Sequence, residues 1–342
     1  MANLLSVAKL AGVSRATAAR AFSSPESLRP ETHRRVMEAA RVLGFRPNKV
    51  AQQLRTRATR MLGVMVPSLD NPVFAEQLQA MEEAARAAGY SLIVTTSGYD
   101  PGREEAIVEE MLRQRVDGLA LTVAEADHSA VLVKLRREST PCLLVHNPPV
   151  APCFPSVGVD NRAAMADATR YLIAQGHRRI GMIGGPLLQS DRARLRHEGY
   201  REAMEAAGLT PLALIEMPRH TQVALSRLAP ALGGTEGLTA VLCTNDLLAI
   251  SLIGELRRSG RSVPGDLSVM GFDGIELGRH LYPSLSTVVQ PRAEFGRVAV
   301  DTLLALIRGA TPQPLPLPHV LREGESAGAL PASRQAPEPY DP

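Results

Sequence analysis

Cysteine is scarce: the 342 residues contain only Cys142, Cys153 and Cys243. They cannot frame a disulfide-stapled domain, and none sits in a C-x-x-C or Cys/His metal spacing. They read as small hydrophobes of a reducing compartment. Long apolar runs are missing as well. No stretch approaches the ~18 consecutive apolar residues of a membrane span, and the opening MANLLSVAKLAGVSRATAAR lacks the apolar stretch of a secretion signal. Signatures of catalysis are absent too. GMIGGP places glycines after a strand but is not G-x-G-x-x-G, no P-loop lysine follows it, and there is no G-x-S-x-G elbow. Histidines 128, 146, 177, 197, 220, 280 and 319 show no metal spacing. The expectation is a protein that is not an enzyme, with no metal, no cofactor and no membrane partner.

Charge is present but unevenly placed. The formal net charge is +3. Residues 1–60 carry twelve lysines and arginines against three acids, a net +9, which leaves 26 basic against 32 acidic residues elsewhere, a net −6. A small basic head on a mildly acidic body suits a polyanion partner for the head, or else a solvated basic surface. The length suits two or three domains with a sizeable buried core.

The head reads as three short helices. Asn3 can cap a helix over 4–11, Gly12 breaks it, and Ser14 can cap a second helix over 15–22. Two short helices joined by a tight Gly-containing turn are a helix-turn-helix candidate or an ordinary helical hairpin. A third helix opens at Pro30, the favoured first helical position, and stops at Gly44. Residues 48–60, NKVAQQLRTRATR, hold little apolar surface; a helix there needs a partner, and the plain alternative is a linker. From residue 62 apolar runs alternate with amphipathic helices. LGVMV, SLIVT, DGLALTV, PCLLVH, RIGMIG, AVLCT and LSVMGF read as buried strands. Helices are expected over 74–88, 102–114, 128–138, 162–175, 192–207, 246–259 and 294–308. This alternation means parallel sheets with helices on both faces, in two lobes.

Many ordered segments then resemble the LacI/GalR family of bacterial transcription regulators. They include SVAKLAGVSRATAARAF, RPETHRRVMEAARVLGFRPNKVAQQLRT, RQRVDGLAL, VGVDN, GHRRIGMIGGP, RARLRHEGYREAMEAAGL, CTND and LSVMGFD. The resemblance implies an α/β fold: a two-lobed core, like periplasmic binding proteins, of two parallel doubly wound sheets, behind an all-α helix-turn-helix headpiece. Its domains would be a headpiece at 1–47, a hinge helix at 48–60 and an effector-binding, dimerising core at 61–330. The first lobe would take 61–176 and 290–318, the second 177–289 and 319–330, with a disordered tail at 331–342. It further implies a cytoplasmic, nucleoid-associated homodimer on pseudo-palindromic operator DNA, with repression as the default. A small-molecule effector, of carbohydrate type, would bind between the lobes.

Site residues follow from the resemblance position by position. In the recognition helix Arg15 and Ala16 fall at the main specificity positions; Arg can bond guanine bidentately, and Ala offers a methyl contact to thymine. Arg20 matches a third base contact and Thr17 a phosphate contact. Ala19 and Ser23 depart from the commoner Ser and Asn, and Arg29 stands where Ser usually caps the third helix. In the hinge, Leu54 would wedge between base pairs in the minor groove, with Asn48, Gln52, Arg55 and Arg57 on the DNA around it. In the core, Asp70, Asn71, Phe74, Asp160, Arg196, Asn245 and Asp273 would hold the effector. Their carboxylates, amides and guanidinium suit a polyhydroxylated ligand. Asp160 has an alternative role as a helix cap, and Asp246 reads as a cap. RHTQVAL, where an aromatic often stacks on sugar, offers only His220. A periplasmic-type solute-binding protein without DNA function, or a corepressor-dependent regulator of a nucleobase-like ligand, are the alternatives.

Overall fold

The computed structural model describes residues 3–46, 58–150, 153–233, 237–313 and 315–330. The chain divides into two compact units, Met1–Thr59 and Arg60–Pro342.

The first unit contains α1 (Leu4–Ala11), α2 (Arg15–Ser23) and α3 (Pro30–Val42). Asn3 Oδ1 accepts the Ser6 amide at 2.9 Å and starts α1. Gly12 ends α1 at φ +62°, a left-handed conformation that disfavours a Cβ. Ser14 Oγ accepts the Thr17 amide at 3.0 Å and starts α2. The core is built from small residues: Val7, Ala8, Ala11, Ala18, Ala21, Val36, Ala39 and Ala40. Six alanines let three short helices approach closely. The start of α3 at Arg29 has no side-chain cap, as the missing serine implied.

The second unit contains two six-stranded sheets. Six strands form the first sheet: β1 (Met61–Val66), β2 (Ser91–Thr96), β3 (Gly118–Leu121), β4 (Cys142–Val145), β5 (Ser156–Val159) and β11 (Leu315–Leu317). Their order is β11-β5-β4-β3-β1-β2, all parallel. The second sheet takes β6 (Ile180–Gly184), β7 (Ile215–Glu216), β8 (Ala240–Cys243), β9 (Ser268–Asp273), β10 (Ser286–Val289) and β12 (Val320–Arg322). Its order is β12-β10-β9-β8-β6-β7, and the β10–β12 pair alone is antiparallel. Strands β3, β4, β8 and β9 are buried along their whole length, as strands covered on both faces must be.

Helices cover both sheets: α4 (Pro72–Ala87), α5 (Pro101–Arg113) and α6 (Ala130–Arg137), then α7 (Asn161–Ala174), α8 (Asp191–Ala206), α9 (Leu225–Leu228), α10 (Asp246–Arg258) and α11 (Arg292–Ile307). Two crossings are very close. A Cβ on Gly199 of α8 would sit 2.0 Å from the Arg162 carbonyl of α7, and one on Gly296 of α11 would sit 2.4 Å from Ala80 Cβ of α4. Both glycines permit backbone approach that no other residue allows. Helix α7 packs along α8 and touches β8 and β10 of the second sheet, with its apolar residues Ala164, Met165, Ala168 and Leu172 buried. Among the described residues no helix is long and apolar enough to cross a membrane.

Candidate functional site

The first unit presents one face of α2. Ala18 and Ala21 turn inward, whereas Arg15, Ala16 and Arg20 are exposed and Thr17 is half-buried. The serine cap orders the first turn, so the side chains at 15 and 16 project from a fixed helix start. One of the head's arginines serves the fold instead. Arg35 donates from Nη2 to the carbonyls of Ala11 and Gly12, satisfying the C-terminus of α1. Asn48, Gln52, Leu54, Arg55 and Arg57 lie outside the described residues.

In the second unit the C-terminal ends of strands from both sheets meet at a narrow cleft of about 40 Å³. Open α/β sheets bind ligands at such ends. The first lobe contributes Asn71, Phe74, Tyr99 and His146; the second contributes Ser190, Arg192, Arg196, His220, Asn245 and Asp273. Gln290 comes from the segment after β10. Polar bonds cross the cleft. Asn71 Nδ2 donates to Asp273 Oδ2 at 2.8 Å, and Gln290 Nε2 donates to Asp273 Oδ1 at 2.9 Å. Arg196 Nη1 lies 3.8 Å from the same carboxylate. The Tyr99 and His220 rings stack from opposite lobes, centroids 3.9 Å apart and planes 18° apart.

Burial dominates the titration of these groups. It pushes the Asp273 carboxyl up, against the pull of Arg196, Asn71 and Gln290. It draws the Arg196 guanidinium down to about 10, with Asp273 opposing. It lowers His220 to about 4, helped by Arg192, and His146 well below the usual imidazole value, so both rings are neutral near pH 7. Tyr99 is raised to about 12 and stays a phenol. Near neutral pH neither His146 nor His220 brings a positive charge to the cleft.

The geometry sorts the expected residues. Asn71, Phe74, Arg196, Asn245 and Asp273 line one cavity. Asp160 does not. Its exposed carboxylate accepts the amides of Arg162 and Ala163 at 3.0 and 2.9 Å, so it caps α7, the alternative role its place in the sequence offered. Asp70 is exposed and outside the lining, reaching the cleft only as a charge felt by Tyr99. The cap of α10 is corrected: Asn245 Oδ1 accepts the Leu248 amide at 2.9 Å. Asp246 instead lies fully buried, accepting from the Ile275 amide at 2.8 Å and from Thr287 Oγ1. Arg196 is heavily engaged within the protein, through Asn161 Oδ1 and the Thr244 carbonyl, and its guanidinium lies 3.5 Å over the Phe272 ring.

Sequence reasoning missed Tyr99, His146, Ser190, Arg192, Thr244 and Gln290 as cleft residues. Arg192 had a legible signal: it lies four residues before Arg196, one helical turn away on the same face. Tyr99 had none, because it sits in a loop after β2 at φ +63°, where pattern is silent.

Comparison with known proteins follows the same division. Residues 3–48 match the family described as bacterial regulatory proteins, lacI family, and residues 169–327 match a periplasmic binding protein-like domain. The HTH-type transcriptional regulator GntR of Escherichia coli (strain K12) is 34% identical over 327 residues, covering 94% of this chain and 98% of that protein. The ribose operon repressor of Haemophilus influenzae is 32% identical, covering 90% and 92%. The crystal structure of the lac repressor dimer bound to operator and the anti-inducer ONPF superposes with a TM-score of 0.83 at 28% identity, covering 96% and 99%. A complex of the transcriptional regulator CelR with cellobiose gives 0.68 at 28% identity, covering 96% and 100%.

Proposed function

The chain belongs to the LacI family of bacterial regulatory proteins, and from that premise we propose that it is a repressor whose cleft takes a polyhydroxylated, carbohydrate-type effector. It is a DNA-binding transcription regulator, not an enzyme, and an effector controls its operator affinity.

Arg15 and Arg20 read guanine edges in the major groove, Ala16 meets a thymine methyl, and Thr17 holds a phosphate. Their exposure on a capped helix supports this. Two heads of a homodimer read inverted half-sites. Leu54 wedges the operator centre, flanked by Asn48, Gln52, Arg55 and Arg57.

The observation that carries the effector reading is the cleft-spanning set on Asp273. A carboxylate held by Asn71 from one lobe and Gln290 from the lobe connection is an acceptor that a ligand's paired hydroxyls can share. Phe74 and the Tyr99–His220 pair supply ring faces for an apolar sugar face. Two similar proteins are named for a sugar: one in complex with cellobiose, the other a repressor of a ribose operon. A second reading, a planar nucleobase, draws on the parallel Tyr99 and His220 rings, which can part to sandwich a flat ligand.

The test is a thermal-shift screen of sugars, sugar derivatives and nucleobases, followed by operator binding with the best hit. A ligand at ~100 times its Kd stabilises by about 2.7 kcal/mol. Asp273→Asn is expected to weaken the hit about 10- to 100-fold, because an amide cannot accept from both Asn71 and Gln290. A hit that Asp273→Asn binds as tightly as the parent places the effector elsewhere.

A further inference from the structure

We infer that the ligand of this cleft carries an anionic oxygen group, seated on the free Nη2 of Arg192; the inference rests on the cleft being the effector site. Arg192 lines the cleft and is only 5 % exposed. Its Nη1 donates to the Val123 carbonyl at 2.8 Å and lies 3.3 Å from Asp191 Oδ1. Its Nη2 is buried with no hydrogen-bond partner among the described residues. A buried guanidinium nitrogen left without an acceptor is costly, and a group that supplies the acceptor removes that cost.

The surroundings favour a charged acceptor over a hydroxyl. Three helices begin at the cleft, and each cap residue lines it: Asn71 for α4, Ser190 for α8 and Asn245 for α10. These helices have 16, 16 and 13 residues, so three positive dipole ends converge there. No resident carboxylate among the described residues accepts from Arg192 Nη2. Asp191 Oδ2 accepts from Asn147 Nδ2 at 2.8 Å and from the Ala126 amide at 3.2 Å, and Asp273 accepts from Asn71 and Gln290. Arg196 places Nε on Asn161 and Nη1 on Thr244, whereas Arg192 Nη2 is the buried guanidinium nitrogen of the cleft without a partner among the described residues. Hydrogen bonds from guanidinium to an ionised oxygen are about twice as strong as neutral ones. Gln290 Oε1, also buried without a partner among the described residues, adds an acceptor for a ligand hydroxyl. The site thus fits a hydroxylated molecule with a carboxylate or phosphate at one end.

The test uses the full-length protein and matched ligands: D-glucose, D-galactose and D-mannose, each beside its aldonate, uronate and 6-phosphate. Affinity is read by calorimetry. At least one acid or phosphate is expected to bind about 10-fold or more tightly than its neutral parent. An aldonate or uronate response identifies a carboxylate, a 6-phosphate response a phosphate. Arg192→Lys keeps the charge beside Asp191 but loses the planar fork, and is expected to weaken the anion about 10- to 100-fold. Arg192→Gln is expected to erase the preference over the neutral sugar. Neutral sugars binding as tightly as their acids, no binding by any anion, or unchanged anion affinity in both variants overturns the inference. Failure of the cleft reading looks different: a ligand of either charge then binds Asp273→Asn and both Arg192 variants like the parent.

Discussion

Asp246 shows how one buried carboxyl sets a pH dependence. It is fully buried beside Asp273, and burial, with that neighbour adding, raises its pKa to about 8. In the unfolded chain the group ionises from about pH 3.9 upward. Between those values the unfolded state binds fewer protons, so this residue's contribution to stability falls as pH rises from about 4 to 8. Asp246→Asn removes the titration. Its Oδ1 can accept from the Ile275 amide and its Nδ2 can donate to Thr287 Oγ1, which keeps both contacts. The variant is expected to gain on the parent by up to about 1.4 kcal/mol per pH unit between pH 5 and 8, read as the difference in melting temperature. A difference that does not change with pH contradicts the buried acid. Asp160 makes the opposite case, an exposed acid with a local role. Asp160→Ala is expected to lose about 1 kcal/mol of stability and Asp160→Asn very little, with effector response unchanged in both. A lost response in Asp160→Asn would return the residue to the ligand. The sequence carried both aspartates but not their environments: a cap and a buried acid are each an Asp near a helix start, and only the packing of β9 and β10 around 246 separates them.

At the level of elements, the long apolar strands and capped helices were legible. β1, β2, β6, β8 and β9 fall where their apolar runs stand, and α1 to α3 begin at Asn3, Ser14 and Pro30 as the capping chemistry requires. The short strands were not. β7, β11 and β12 have two or three residues each, too few for a period to emerge, and β11 and β12 form only because the chain recrosses between lobes. Helix α7 illustrates the same limit: its apolar stripe is plain in sequence, but which sheet it covers is decided by the close crossing at Gly199. The weak start of α3 gives a prediction at this scale. Arg29→Ser supplies the missing acceptor for the amides of Glu31 and Thr32. Hydrogen exchange at those amides is expected to slow about 5-fold, matching about 1 kcal/mol of added local stability. Unchanged or faster exchange shows that the helix start is limited by something other than its cap.

For the whole molecule, a DNA-reading head and a two-lobed core serve one function only if ligand and operator are coupled through the chain. Contacts that bridge the lobes include Asn71 to Asp273, the Tyr99–His220 stack, the Arg194–Glu125 ion pair, Asn147 to Asp191, and Arg192 with Asp191 against the 123–126 loop. A ligand in the cleft must replace or reinforce them, and its differential affinity for the two lobe arrangements bounds how far it can move operator affinity. The most direct measurement is a fluorescence-anisotropy titration of the full-length protein on a duplex chosen by selection from random DNA, with and without the cleft ligand. Selection is expected to yield a pseudo-palindrome, and saturating ligand to change operator Kd by about 5- to 150-fold. Asp273→Asn is expected to shift the ligand dose curve to higher concentration. Ligand that saturates the cleft while operator Kd stays the same would contradict the coupling of cleft to head.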